Sequence, residues 1–234
     1  MVKNNKIFTI AAIIILISSC NNGYKSYLEN ANNTLIEQKK SFAEDYNKQN
    51  LLIHFPKKII NDSFRLYCYP PSCPPSYNCS SQTGEVYLIC KKNDYYNRVS
   101  KILSDSALCV YNYFDNGNMI IDLMELKRTF IPIEKCNKFY KDKYPIPYFE
   151  KIDFGLGLKR RKDTVINKQR YFTSTYFIPT DLEIYVISAQ AGNYWKVDCK
   201  EKRPESLKNW INGYSRGIAI SNKENLLIYW VMVW

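Results

Sequence analysis

The chain has one histidine, His54, and that scarcity removes several kinds of chemistry. A metal site with two histidines cannot form within one chain. A Ser-His-Asp or Cys-His mechanism would have to use His54, because the base must reach the proton of the nucleophile. His54 sits in Leu52-Ile53-His54-Phe55-Pro56, among apolar neighbours, and no G-x-S-x-G motif accompanies it. These surroundings point to a structural histidine. No C-x-x-C pair is present, so a thioredoxin-like redox role lacks its usual motif. The phosphate-loop pattern G-x-x-x-x-G-K-S/T is missing as well. No apolar run approaches the ~20 residues of a membrane-spanning helix, and no internal repeat is evident.

Cysteine is not scarce. Of eight cysteines, Cys20 stands apart near the start and seven lie in the body. An odd number leaves at least one unpaired unless it bonds between molecules. Cys68, Cys73 and Cys79 flank or occupy a Pro-rich loop and are the expected disulfide set. Cys90 and Cys109 fall in apolar runs, where cysteine packs as a small hydrophobe. The spacing of Cys68, Cys73, Cys79 and Cys90 is longer and less regular than structural zinc prefers. No cofactor is implied.

The first twenty residues carry the most specific signal. Lys3 and Lys6 precede an uncharged run from Ile7 to Ile17, and small Ser18 and Ser19 precede Cys20. A basic start, a short apolar stretch and small residues at the cut form a secretory signal. A membrane-spanning helix would need a longer run, and a signal cut elsewhere without lipid is the other alternative. The tetrad Ile17-Ser18-Ser19-Cys20 resembles the lipobox of bacterial lipoproteins. That resemblance covers only this segment. It implies a signal peptide over 1–19, cleavage before Cys20 and lipidation of that cysteine. It further implies a body in the periplasm or at the cell surface, held to the inner or outer membrane.

Removing 1–19 takes away two lysines and no acid, leaving +9 of the chain's +11. In a cytosolic protein such a charge would suggest nucleic acid; export argues against it. Anionic headgroups or envelope glycans are better candidates, since a basic surface draws in anions. General abundance of Lys, Asn, Ile and Tyr, as in an AT-rich genome, is the plainer explanation of the charge. Lys159, Arg160, Arg161 and Lys162 follow Gly155 and Gly157 and form a candidate anionic contact; a solvated turn is the plainer reading.

The expected fold class is α+β, mainly an antiparallel sheet with a long N-terminal helix and a few short helices. The expected organisation is a lipid anchor and helix over 20–50 and one domain over 51–234. Residues 24–50 show helical periodicity through Tyr24, Tyr27, Leu28, Ala31, Leu35, Phe42 and Tyr46. Expected strands include Phe64–Tyr69, Glu85–Cys90, Phe154–Leu158, Arg170–Ile178, Leu182–Ala189 and Arg216–Ile220. Asp94–Leu103 reads as a helix capped by Asn93, with Val99, Ile102 and Leu103 inward. Residues 137–150 read as a loop and Pro204–Trp210 as a short helix. The strongest turn signal is Asp115-Asn116-Gly117-Asn118, which predicts a hairpin between Ala107–Phe114 and Met119–Leu126. Leu226–Trp234 is apolar on both alternating faces and predicts a strand buried on both sides, after a turn at Asn222–Asn225.

These features favour a non-enzymatic, lipid-anchored envelope protein that binds or supports something at the membrane surface. A glycan hydrolase using paired carboxylates is one competing class, with Asp181 and Glu183, or Asp122 and Glu125, as candidate acids. A toxin-immunity or inhibitor lipoprotein is another. Tyr194-Trp195 and Trp210 beside Tyr214 are candidate aromatic platforms.

Overall fold

The computed structural model describes residues 25–44, 46, 50–61, 63–69, 84–115, 120–121, 144–149, 152, 164–166, 169–171, 178–194 and 209–234. Their centre is a six-stranded sheet in the order β1-β2-β10-β9-β8-β3, with every neighbouring pair antiparallel. The strands are β1 (Phe64–Tyr69), β2 (Gly84–Lys91), β3 (Cys109–Asn112), β8 (Glu183–Ala191), β9 (Gly213–Ser221) and β10 (Leu226–Val233). Two small pairs complete the set. β4 (Ile120–Ile121) runs parallel to β5 (Ile146–Pro147), and β6 (Thr164–Ile166) runs antiparallel to β7 (Gln169–Tyr171). Helix α1 covers 25–44, and α2 (Tyr96–Ser106) follows a single 3-10 turn at Lys92–Tyr95. The chain is α+β, as its composition of periods predicts.

β10 shows how sequence becomes architecture. All eight of its residues are buried. Leu227, Tyr229, Val231 and Val233 enter the core on one face of the sheet, and Leu226, Ile228, Trp230 and Met232 enter the core on the other. A strand of this kind belongs in the interior of a sheet covered on both sides. The turn at Asn222–Asn225 delivers it there, and Asn225 takes the positive φ of 49° that asparagine tolerates.

The first face is covered by α1, α2 and the irregular chain of 50–60. Leu35, Phe42, Tyr46, Leu51, Leu52, Phe55, Ile59, Tyr95 and Val99 meet Val86, Leu88, Ile218 and the odd-numbered residues of β10. The apolar stripe of α1 therefore lies on the sheet. The helix is shorter than the expected 24–50: Tyr46 makes an isolated bridge, and Asn50 has a φ of 67°. The second face is covered by Tyr113, Ile121, Ile146, Phe149, Ile152, Ile178 and Leu182. Ile146 and Pro147 form a short buried strand within the stretch expected to be loop.

Two expectations are corrected. Among the described residues, the two runs expected to form a hairpin around Asp115–Asn118 do not pair with each other. β3 pairs with β8, while Ile120 and Ile121 pair in parallel with Ile146 and Pro147. Asn-Gly favours a turn but does not choose a partner, and burial of Ile121 on the second face decides the pairing. Asn93 does not cap α2. It lies within the 3-10 turn, Tyr95 occupies the N-cap position of α2, and no side chain caps either that helix or the turn before it. The backbone N–H of Asn93 instead donates to Asn225 Oδ1 at 3.1 Å. Val99 is buried, and Ile102 and Leu103 are partly so, as the period predicts. The expected strand Phe154–Leu158, and most of Arg170–Ile178 and Pro204–Trp210, lie outside the described residues.

Gly217 permits the closest strand approach. A Cβ there would lie 2.0 Å from the Tyr185 carbonyl oxygen and 2.6 Å from the Trp230 ring. Neither neighbour can yield: one is backbone, and the other is a fully buried indole. The adjacent strand carries a register shift between Val186 and Ser188, next to the Val186–Gly217 pair. Gly217→Ala is expected to cost about 1–3 kcal/mol, the range for overpacking a filled core, measured as a shift in the urea midpoint. Deleting Leu226–Trp234 is expected to abolish cooperative unfolding, because each buried large side chain contributes about 1.5–3 kcal/mol against a net stability of about 5–15. A truncated chain that melts like the parent would place the strand at the periphery.

Candidate functional site

Among the described residues, polar side chains from several elements converge on the irregular segment 50–60. Leu51, Leu52, His54, Phe55, Pro56 and Ile59 of this segment are buried. Its backbone groups leave water without a helix or ladder to receive them, so they need other partners. Short turns supply two, Ile53 N–H to Asn50 O and Phe55 N–H to Leu52 O. Side chains from the surrounding elements supply more. Arg216 on β9 donates to the carbonyls of Asn50 at 2.8 Å and Leu51 at 3.2 Å. Arg98 on α2 donates to Phe55 O at 2.9 Å and, at 3.5 Å, to His54 O. Lys39 on α1 donates to Pro56 O at 2.9 Å. Asn32, also on α1, binds both backbone groups of Ile59, at 3.1 and 2.7 Å. Tyr95 accepts the N–H of Ile60 at 3.2 Å. Burial, helped by the charge of Arg98, holds Lys39 below its ordinary pKa; burial also lowers that of Arg216.

His54 lies inside this frame. Its Nε2 is 3.0 Å from the Trp230 carbonyl, so the neutral ring donates from that nitrogen. Phe55 packs edge-on at 4.8 Å, and Tyr229 lies 6.3 Å away. Burial, with the nearby charge of Arg216, pushes its pKa down to about 3. A general base with so low a pKa is protonated too weakly for use near neutral pH. The geometry makes His54 a tie between the 50–60 segment and the central strand.

The candidate acids are placed in part. Asp181 accepts from Ser221 Oγ at 2.7 Å and from the backbone N–H of Lys223 at 2.9 Å, which ties it to the turn before β10. Its partial desolvation acts to raise the pKa, but these bonds outweigh that and hold it below the ordinary carboxylate value. Glu183 accepts from Tyr185 Oη at 2.8 Å. Asp122 and Glu125 lie outside the described residues. So do Cys20, Cys73, Cys79 and the basic run Lys159, Arg160, Arg161 and Lys162. Cys68 is a half-buried free thiol on β1, and burial pushes its pKa up to about 12. Cys90 is buried in the first core, as its apolar setting predicts.

The aromatic candidates divide between the faces. Tyr194 packs edge-on against Tyr214 at 4.8 Å on the first face. Trp210 packs instead on Trp234 at 6.1 Å and belongs to the second core. Trp210 and Tyr214 therefore do not make one platform. Among the described residues, no group of three or more His, Cys, Asp or Glu is placed to hold a metal ion.

Periodicity passes over the residues that hold the 50–60 segment. Asn32 interrupts the stripe of α1, and Arg216 interrupts the apolar run of β9; a polar group at a core-facing position is the signal that could have found them. Arg98→Met is expected to cost about 1–3 kcal/mol, because Phe55 O loses its donor in a buried place. The His54 pKa also fixes a pH dependence. The unfolded chain takes up a proton near 6.5, whereas the folded chain does so near 3. Stability is therefore full above about 6.5 and falls as pH drops toward 3, with a slope from this group of up to about 1.4 kcal/mol per pH unit. His54→Gln keeps an amide donor for Trp230 and should lack that slope between pH 6.5 and 4 in urea titrations. An unchanged slope would show that other groups set it.

Comparison with protein-family models, with curated proteins and with solved structures finds no match to this chain.

Proposed function

We propose that the chain is a lipid-anchored protein of the bacterial cell envelope, with a non-enzymatic binding or supporting role at the membrane surface. The observation that carries this reading is the order of features before Cys20: Lys3 and Lys6, the apolar run Ile7–Ile17, then Ser18 and Ser19. Each has a distinct physical task in export, and their sequence leaves a cysteine at the new N-terminus. The sulfur and amine of Cys20 would carry the acyl chains. One chain holds a protein only marginally, while two or more hold it stably at about 0.8 kcal/mol per buried methylene.

The body fits a binding role better than a catalytic one. Its buried histidine is tied to backbone, and Asp181 is committed to a turn. The net charge of the body favours an anionic partner, such as headgroups or envelope glycans, or a protein of acidic surface. Expression in a bacterium with metabolic labelling by a fatty acid tests the anchor. The parent should fractionate with membranes, lack 1–19 and carry acyl mass on Cys20. Cys20→Ala should accumulate as an uncut, unlipidated precursor. Normal cutting and membrane attachment of that variant would defeat the reading.

A further inference from the structure

We infer that the end of the body carrying Tyr27, Ile60 and Tyr96 is the surface that rests on the lipid bilayer. This rests on the lipid-anchor reading of Cys20. The argument begins with reach. Cys20 and Lys25, the first residue of α1, are five peptide steps apart, which span at most about 18 Å when fully extended. An acylated Cys20 lies in the membrane, so the first turn of α1 cannot leave its neighbourhood. α1 is no loose stalk: Leu35 and Phe42 bury it against the sheet. The end of the body next to its first turn is therefore held at the bilayer.

That end presents apolar groups to solvent. Tyr27 is 54 % exposed and stacks on Phe64, with ring centroids 5.4 Å apart. Ile60 is 53 % exposed and follows Ile59, which Asn32 of α1 binds through its backbone. The N–H of Ile60 donates to Tyr95, so the start of α2 lies at the same end. There Tyr96 is 57 % exposed, with the Lys92 ammonium 5.8 Å above its ring. Tyrosine suits the membrane–water interface because its ring is apolar and its tip is polar. Lysine beside it extends an apolar stem and keeps its charge in the headgroup layer. Charge alone does not select this end. Lys25, Lys58 and Lys92 are offset there by Glu29 and Asp94, and Asp94 itself receives a bond from Asn61. The exposed rings and Ile60 make the contact, and the short connection to Cys20 keeps them at it.

The test uses the full lipidated chain, reconstituted in vesicles of phosphatidylcholine and phosphatidylglycerol with brominated acyl chains. Tyr27→Trp, Ile60→Trp and Tyr96→Trp each add an indole at the proposed contact. Ile211→Trp adds one at the opposite end of the sheet, where Gly213 exchanges backbone bonds with Trp234. Thermal melts matching the parent establish that each variant is folded. After subtraction of the parent signal, quenching at 27, 60 and 96 should be at least twofold stronger than at 211. Equal quenching at all four sites, or none at the first three, in protein that floats with the vesicles overturns the surface and leaves the anchor standing. Protein that fails to float and lacks acyl mass overturns the anchor, and the surface with it.

Discussion

A strand that is apolar on both faces imposes the first constraint on this fold. β10 is stable only between two partner strands and between two covering layers. Its neighbours β2 and β9 are buried nearly throughout for the same reason. Each layer must then come from what the remaining chain can offer. On the first face this is a helix with an apolar stripe and an irregular segment; on the second it is short strands and turns around Ile146, Phe149 and Leu182. The edges of the six-stranded sheet are β1 and β3.

Covering a sheet with irregular chain creates the second constraint. Leu51, Leu52, Phe55 and Ile59 bring apolar area to the core, but they carry their carbonyls with them. Each carbonyl left without a partner in such a place costs about 1–3 kcal/mol. Arg216, Arg98 and Lys39 meet that demand with charged donors from three different elements. Three of the chain's positive charges are therefore half-buried and have a structural task. The same clamps bind α1, α2 and β9 to one segment, so the first layer loosens as a unit or not at all.

The fold was legible wherever local pattern decides the outcome. The bounds of β1 follow from Phe64–Tyr69 as read, and the two-faced pattern of Leu226–Trp234 placed β10 in the sheet interior. The turn at Asn222–Asn225 was equally plain. Pairing was not legible where it depends on distant chain: Asn116-Gly117 predicts a turn from sequence, yet Cys109–Asn112 finds its partner in Glu183–Val186. The helix cap failed for a related reason, since Asn93 is engaged by Asn225 across the turn. The anchor proposed for Cys20 rests on a pattern in one continuous stretch of sequence. The polar frame around His54 joins residues from 32 to 230, and no window of sequence contains it.

A stalk and a packed helix make opposite demands on residues 25–44. A stalk needs polar groups all round, held by pairs such as Lys40 and Glu44, whose single exposed contact at 3.9 Å contributes little. A packed helix needs one apolar face, and Leu28, Ala31, Leu35 and Phe42 provide it, with Asn32 and Lys39 on the same side as donors to the 50–60 segment. Such a helix cannot be withdrawn from the body without exposing the first core and stripping partners from Pro56 and Ile59. Any force applied at its N-terminus is thus transmitted to the sheet rather than absorbed by a flexible arm. Attachment close to the helix would therefore set the orientation of the whole body as well as its distance from the point of attachment.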